Sequence, residues 1–194
     1  IYFRGKDITK LPPYKITLLG IARSWQNVRL FYELPVVDNV ILGIPKQMGE
    51  NPFWALFAAG SSNRQNKRNY EKAFSYLEMV DLADKAEEIA GDLSFPEQKL
   101  LAIARLLALE PTLLLLDEPM SGIDIRVMEE QMFPLFSRLV KNYDKTICIV
   151  EHNLDVVRGI CEMAYFLNQG EVIVRGTTQQ LMSDPKLEEM YFGK

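Results

Sequence analysis

Short apolar runs alternate along this chain with stretches of helical periodicity. The clearest run is Leu113–Leu116, which lies between Pro111 and the polar stop Asp117-Glu118-Pro119. Because these flanking residues leave room for a short element only, we predict a buried strand. A strand that is apolar on both faces belongs inside a parallel α/β sheet. Thr146–Val150 is a second run of the same kind.

Helical patterns fill most of the remaining chain. Apolar residues recur at helical spacing in Arg64–Val80, and Ser94 with Glu97 forms a capping box that starts a helix over Phe95–Leu109. The other predicted elements are extended pieces at Ile1–Thr9 joined by a glycine turn, a helical turn at Tyr14–Leu18, a strand at Gly20–Gln26, helices at Val36–Leu42, Arg126–Tyr143 and Asn153–Cys161, a hairpin of Met163–Leu167 with Glu171–Val174, and helices broken by Pro185 after Thr177.

The stretch from Asn27 to Asp92 differs from the rest because it is helical and broken by glycine and proline. We therefore predict an α/β core with an inserted α-helical subdomain. The expected boundaries are 1–26 and 96–194 for the two parts of the core and 27–95 for the insert. Within the insert, the apolar residues Phe53, Trp54 and Phe57 fit either a core position or a surface that docks on another subunit.

Polar residues follow three of the predicted strands. Open α/β sheets bind ligands beyond the carboxyl ends of their strands, where Asp117 and Glu118 are expected. Two adjacent acids there suit metal-assisted phosphoryl transfer, in which the first holds Mg²⁺ and the second takes a proton from water. The alternative is a pair of solvated acids. Gln26 ends one predicted strand and His152 follows another, although taken alone they fit an ordinary surface glutamine and a structural histidine.

Composition narrows the possible partners. The 194 residues are 48% hydrophobic, enough to fill one sizeable domain, and the net charge of −4 is spread along the chain. Nucleic acid is therefore not an expected partner. No apolar run approaches the ~18–20 residues that span a bilayer, which favours a soluble, cytosolic-type protein. Cys148 and Cys161 lack companion ligands at metal spacing and are predicted to be reduced core residues.

Several motifs occur in an order that points to one family. They are Gln26, the helical insert, Leu93-Ser94-Phe95-Pro96-Glu97-Gln98, Leu116-Asp117-Glu118-Pro119, Ser121-Gly122-Ile123-Asp124 and His152. In this order the chain resembles the ATP-binding subunit of ABC transporters over essentially its whole length. Further segments are similar to the branched-chain amino-acid importers: Asp7-Ile8-Thr9 with Leu11-Pro12-Pro13, Gly20 to Gln26, Arg29-Leu30-Phe31 and Gly159-Ile160-Cys161.

The resemblance implies a P-loop nucleotide-hydrolase-like core, with ATP and Mg²⁺ as cofactors and ATP hydrolysis as the reaction. It also implies a second ATP-binding subunit and a transmembrane permease subunit as partners, at the cytoplasmic face of the membrane. The implied roles are magnesium binding for Asp117, catalytic base for Glu118, contact with metal and water for Gln26, contact with the terminal phosphate for His152, signature-motif contacts to the partner's ATP for Ser94 and Gln98, and a loop across the dimer interface for Asp124.

The phosphate-binding loop of the family is absent from the printed sequence. No Gly-x-x-x-x-Gly-Lys-Ser/Thr segment occurs, although its backbone N–H groups and lysine cradle the phosphates. In the family this loop precedes the segment that matches Ile1–Thr9, and the same portion supplies central strands of the sheet. We therefore expect an incomplete parallel sheet. We also expect weak Mg-ATP binding and no ATP turnover by this chain alone. A fragment, a gene truncation and a degenerate paralogue all stay open, as does a non-catalytic module that docks on a membrane or ATPase subunit.

The signature motif also departs from the usual Leu-Ser-Gly-Gly-Gln/Glu-Gln. Phe95 replaces the first glycine, an exchange that is familiar in this branch of the family. Pro96 replaces the second and has no N–H, whereas N–H groups at a helix start commonly hold phosphate. Alternatively, Pro96 simply stabilises the first turn of its helix.

Overall fold

The computed structural model describes the backbone of residues 1–24, 29–45 and 59–183, and the side chains of all of these except 59–63 and 182. Gln26, the apolar residues Phe53, Trp54 and Phe57, and the predicted helix after Pro185 lie outside the described residues. Contacts divide the chain into two compact units, residues 1–150 and residues 151–194. The predicted boundaries at residues 26 and 95 fall inside the first unit and stay predictions.

The first unit begins with a small antiparallel ladder. Strand β1 (Tyr2–Phe3) pairs with β2 (Lys6–Asp7) across a turn in which Arg4 (φ 49°) and Gly5 (φ 76°) are both left-handed. Two residues with positive φ make the turn that matches the twist of a hairpin. The predicted strand, glycine turn and second extended piece are confirmed. Helix α1 (Pro13–Leu18) follows, as expected from Tyr14–Leu18.

Among the described residues of the first unit, three strands pair in a parallel sheet. They are β3 (Ile21–Arg23), β4 (Leu113–Asp117) and β5 (Thr146–Val150), in the order β3-β4-β5. Leu113 pairs with Ile21 on one side and with Thr146 on the other. The leucine run is thus the central strand of the sheet, as predicted, and its Leu114 and Leu116 are buried.

Strand β5 lies at an edge of the sheet. Thr146–Val150 is apolar on both faces, and an incomplete sheet is expected to leave such a strand with an exposed edge; accordingly, no strand among the described residues pairs with the outer edge of β5. Its side chains are half-buried or exposed, and Val150 is 62% exposed. The prediction for the cysteines is wrong: Cys148 is an exposed free thiol and Cys161 a half-buried one, so neither is a core residue. Apolar side chains of a strand are buried only where other elements cover the faces of the sheet.

The helices between β3 and β4 pack against one another. Helix α2 (Val36–Ile41) contacts both α3 (Ala59–Met79) and α4 (Phe95–Leu107). Most members of the two predicted apolar stripes are buried, whereas Tyr70 is 39% exposed. The buried members are Ala73 and Leu77 of α3, Val80 directly after it, and Leu100, Ile103, Ala104 and Leu107 of α4. Two 3₁₀ turns, Ala83–Lys85 and Ala90–Asp92, connect α3 to α4. The insert is thus helical in its described part, and α4 ends two residues before the predicted Leu109.

The predicted helix over Arg126–Tyr143 consists of three consecutive pieces. These are helix α5 (Ile125–Val127), a π-helical turn (Met128–Met132) and helix α6 (Phe133–Lys141). Arg138 of α6 donates hydrogen bonds to the Met79 carbonyl oxygen at 3.1 Å and to Asp81 Oδ2 at 2.8 Å. These bonds attach α6 to the end of α3.

The second unit contains helix α7 (Leu154–Ile160), the antiparallel pair β6 (Met163–Asn168) and β7 (Glu171–Thr177), and helix α8 (Thr178–Met182). Gln169 and Gly170 form the hairpin turn with φ values of 48° and 85°. The Thr178 hydroxyl donates to the Cys161 carbonyl oxygen, which joins the start of α8 to the end of α7. Within the part of the chain that the structure describes, no helix is long and apolar enough to cross a membrane.

Candidate functional site

Asp117 lies at the carboxyl end of the central strand β4. The residue that follows β3, Ser24, is tied to the same strand end by two hydrogen bonds. Its N–H donates to the Leu115 carbonyl oxygen at 2.8 Å, and its Oγ accepts from the Asp117 N–H at 2.9 Å. The second bond joins residues 93 positions apart in the sequence. The exit of β3 and the first acid are therefore held side by side at one edge of the sheet.

Arg23 places a positive charge beside this acid. Its Nη2 lies 3.7 Å from Asp117 Oδ2, and the two side chains are 59% and 37% exposed. Ion pairs at such exposure contribute about 0–1 kcal/mol to stability. The pair matters instead for the site, because it presents a guanidinium next to the carboxylate at the edge where sheets of this type bind anionic ligands.

Glu118 has an unusual backbone conformation. Its φ of 43° is left-handed, which costs a residue with a side chain about 1–3 kcal/mol and is concentrated at functional sites. Two hydrogen bonds hold it: the Glu118 N–H donates to the Val150 carbonyl oxygen at 3.0 Å, and the Glu118 carbonyl oxygen accepts from the Ser121 N–H at 3.2 Å. The chain therefore turns sharply after β4 and leaves the Glu118 side chain half-buried.

The acids fit a magnesium ion that shares its ligands with phosphate. Mg²⁺ is usually held by one or two carboxylates, water and substrate phosphate oxygens, and seldom by a cage of protein ligands alone. The described residues contain no group of three His, Cys, Asp or Glu side chains that would form such a cage. Adjacent carboxylates at a partly open strand end are the donor set that such an ion requires.

The signature segment, Leu93–Gln98, contains the start of helix α4 and a network of polar contacts around Glu97. The N–H and hydroxyl of Ser94 donate to Glu97 Oε2 at 2.8 and 2.6 Å, and Lys85 Nζ lies 2.7 Å from Glu97 Oε1. Burial by itself would raise the pKa of Glu97, but the Lys85 ammonium and the Ser94 donors outweigh it and lower that pKa below its usual value. The predicted capping box is present.

Gln98 and Asp124 make local contacts. Gln98 Nε2 donates to the Leu93 carbonyl oxygen at 3.0 Å, one turn back along the chain. Asp124 caps α5 by accepting from the Arg126 N–H at 2.9 Å, and it is exposed. Ser94 is exposed as well. Between these two segments, the ring of Phe95 lies against Gly122, where an added Cβ would be 3.1 Å from Phe95 Cε1.

His152 lies in the second unit, two residues beyond the end of β5, and it is exposed. It precedes Asn153, whose side chain caps α7 by accepting from the Asp155 N–H at 2.9 Å. A polar residue does follow this strand, as predicted. Gln26 lies outside the described residues, so its place rests on the sequence.

Three residues around the predicted site carried no role in the sequence-based prediction. Arg23 and Ser24 contact Asp117, and Lys85 pairs with Glu97. The first two had a usable signal, because polar residues that follow a short apolar strand are expected at the same sheet edge as the acids. Lys85 had none, because its pairing depends on how the turn before α4 folds.

Comparison with known proteins identifies the family. The ABC transporter family profile matches residues 1–121. The chain belongs to the ABC transporter family. Its similarity to the branched-chain amino-acid transport ATP-binding protein LivG of Escherichia coli K12 is 30% identity over 194 residues, which is 100% of this chain and 76% of that protein. With BraF of Pseudomonas aeruginosa it shares 31% identity over 190 residues, 98% of this chain and 74% of that protein.

Solved structures of this family share the fold. A nucleotide-free ATP-binding cassette from an ABC transporter superposes with a TM-score of 0.77 at 30% identity and covers 100% of this chain and 76% of its own. The ADP conformation of an ATP-binding cassette gives a TM-score of 0.75 with the same identity and coverage. The chain is therefore an ABC-type ATP-binding subunit with a P-loop nucleotide-hydrolase-like α/β fold, as predicted.

Proposed function

We propose that this ABC family chain serves as the ATP-binding and ATP-hydrolysing subunit of an importer for branched-chain amino acids or similar solutes. The observation that carries the proposal is the pair Asp117 and Glu118 at the carboxyl end of the central parallel strand, with Ser24 bonded to the first acid. Similarity to LivG and BraF along essentially the whole chain supports the class of solute.

Each site residue has a proposed task. Asp117 holds magnesium, and the left-handed turn at Glu118 orients that carboxylate to accept a proton from the attacking water. Magnesium, when bound together with nucleotide, neutralises charge on the phosphate oxygens. The resemblance alone assigns Gln26 to the metal and water and His152 to the terminal phosphate.

The proposed partners are a second ATP-binding subunit and a transmembrane permease subunit, at the cytoplasmic face of the membrane. An ATP-binding cassette that is 25% identical over 91% of this chain has a dimeric structure with bound ADP and Pi, which supports the first of these partners. Ser94, Gln98 and Asp124 are the proposed contacts to the second subunit and its ATP. The exposure of Ser94 and Asp124 supports this assignment, because a residue that contacts a partner must be accessible before assembly.

A second candidate function is a non-catalytic module that docks on a permease or an ATPase subunit. The observation in its favour is the outer edge of β5, with which no described strand pairs and where Val150 is 62% exposed. The 194 residues contain no Gly-x-x-x-x-Gly-Lys-Ser/Thr segment that would cradle the phosphates, so in this chain the described side chains reach nucleotide chiefly through the metal at Asp117. Both functions therefore predict weak Mg-ATP binding by this chain alone.

Titration calorimetry of the 194-residue chain with Mg-ATP measures this affinity. We expect no saturable binding at micromolar nucleotide in the chain or in an Asp117→Asn variant. Micromolar affinity that depends on Asp117 would contradict the expectation and require a phosphate site elsewhere in the chain.

An extended chain separates the two candidate functions. A phosphate-loop segment of the family's Gly-x-x-x-x-Gly-Lys-Ser/Thr type is joined before Ile1, and steady-state ATPase is measured with Glu118→Gln as the inactive control. Hydrolysis that Glu118→Gln abolishes supports the ATPase. A folded, extended chain that binds Mg-ATP but does not hydrolyse it, alone or with a second copy, would favour the docking module.

A further inference from the structure

Phe95, the aromatic residue in the signature segment, lies against the loop that follows β4. A Cβ built on Gly122 would lie 3.1 Å from Phe95 Cε1 and 3.6 Å from Cζ. Gly122 also has a φ of 78°, a conformation that residues with a side chain rarely adopt. An added methyl group would therefore require the ring to move by a few tenths of an ångström, in addition to the strain of the backbone conformation.

The loop that Phe95 contacts contains the residues proposed to act in catalysis and partner binding. It turns from Glu118 to Asp124 through two hydrogen bonds, from the Ser121 N–H to the Glu118 carbonyl oxygen and from the Ile123 N–H to the Met120 carbonyl oxygen, each 3.2 Å. The side chains of Met120 and Ile123 are buried and hold the loop against the core. Ser121 and Gly122, by contrast, are exposed, and the Phe95 ring lies against Gly122.

The ring itself is held at the start of α4. Phe95 is the first residue of that helix, directly after the Ser94 cap and its Glu97 partner. Lys99, one turn further along and buried, places its Nζ 5.4 Å from the centroid of the ring. A cation at this distance from an aromatic face attracts the ring. Phe95 thus has a defined place although 47% of its surface is exposed.

We propose that Phe95 is a positioning residue, which fixes the Glu118–Asp124 loop relative to the start of α4 through its contact with Gly122. The proposal rests on the proposed function, in which Ser94 and Asp124 both contact a second subunit. The ring then sets the spacing between these two contact points within one chain. It gives the aromatic residue in the signature segment a task that glycine at the same position would not perform.

Amide hydrogen exchange on the 194-residue chain tests this link without nucleotide. In Phe95→Gly we expect the Ser121 and Ile123 amides to exchange at least about tenfold faster, while amides of α6 keep their rates. Phe95→Leu, which retains apolar bulk, should give an intermediate effect and serves if the glycine variant does not fold. The matched control is Tyr14→Gly. Tyr14 is also an aromatic residue in the first turn of a helix, and Lys15 Nζ lies 6.0 Å from the centroid of its ring.

A double-mutant cycle with Gly122→Ala isolates the contact itself. The added methyl should accelerate loop exchange strongly when Phe95 is present and only weakly in the Phe95→Gly background, where the backbone conformation alone opposes it. Equal effects in the two backgrounds would overturn the proposal. So would loop rates that change less than about twofold in Phe95→Gly, or an acceleration spread evenly over all amides. Because ATP is absent throughout, these outcomes are independent of whether the chain hydrolyses nucleotide.

Discussion

At the scale of single residues, the Glu97 carboxylate links two parts of the first unit. It joins the Ser94 cap of α4 to Lys85 in the preceding 3₁₀ turn, with contacts of 2.6 to 2.8 Å. The same contacts lower its pKa despite partial burial. A residue in the signature segment thus has a clear structural task, separate from any contact with nucleotide.

This pKa shift predicts a pH-dependent loss of stability in Glu97→Gln. The folded-state pKa lies below the ordinary value of 4.5, so the stabilisation is present above pH 4.5 and is lost as the pH falls through the lower folded-state pKa. We expect Glu97→Gln to lower the free energy of unfolding by about 1 kcal/mol at pH 7, and by progressively less below pH 4.5. Urea unfolding between pH 3 and 7 measures the difference.

Lys85→Met provides the comparison for Glu97→Gln. If the Lys85 ammonium contributes to the lowered pKa, the pH dependence caused by Glu97→Gln should shrink in the Lys85→Met background. If Glu97→Gln has the same pH dependence with and without Lys85→Met, the Lys85–Glu97 ion pair has no effect on stability, as is true of many surface pairs.

At the scale of elements, helix α4 combines a structural and a proposed functional end. Its first turn contains Ser94 as cap, Phe95 against Gly122, and Pro96 as the second helical residue. Proline suits the first turn because the N–H it lacks has no partner within the helix. The same missing N–H is unavailable for a phosphate, so the two interpretations of Pro96 predict different results.

Replacing Pro96 with glycine should therefore lower stability and raise activity. In the 194-residue chain we expect a loss of about 1 kcal/mol, because glycine has more freedom in the unfolded state. In the chain extended with a phosphate loop, a new N–H to a charged group is worth about 1.5–3 kcal/mol. That energy corresponds to roughly one to two orders of magnitude in steady-state ATPase if the contact forms in the transition state.

Pro134 is the matched control for this experiment. It is also the second residue of its helix, α6, and lies outside the signature segment. Pro134→Gly should lower stability without raising ATPase. Equal turnover in the Pro96→Gly and unmodified extended chains would show that Pro96 only stabilises a helix start.

At the scale of the whole molecule, the most consequential feature is the outer edge of β5. Val150 is 62% exposed and Cys148 is an exposed thiol, although both belong to an apolar strand. No strand pairs with this edge within the described ranges of the chain. Unpaired apolar edges are sites where chains associate.

We accordingly predict that the purified chain self-associates through β5. Light scattering should show dimers or larger species, and Val150→Lys should shift them towards monomer because a charged side chain blocks edge pairing. Val140→Lys is the control, since Val140 is 44% exposed but lies on helix α6. A strictly monomeric chain, or equal effects of the two lysines, would contradict the edge model.

The sequence by itself determined most of the elements and the place of Asp117 at a strand end. The leucine strand, the helix that begins at Phe95 and the hairpin of the second unit follow from local periodicity and from residues that stop or cap an element. Asp117 and Glu118 were assigned to a strand end because Pro111 and Pro119 limit the length of the leucine strand. The order of motifs identified the family. All of this information lies within short windows of the chain.

Only the tertiary structure decided which residues meet. It placed β4 between β3 and β5, left β5 at an edge, bonded Ser24 to Asp117 and laid Phe95 against Gly122. An apolar pattern shows that a face needs cover, but it does not identify the neighbour that covers it. That choice depends on packing between segments far apart in sequence. Cys148 was therefore wrongly predicted to be a core residue, and the contact of Ser24 with Asp117 was not foreseen.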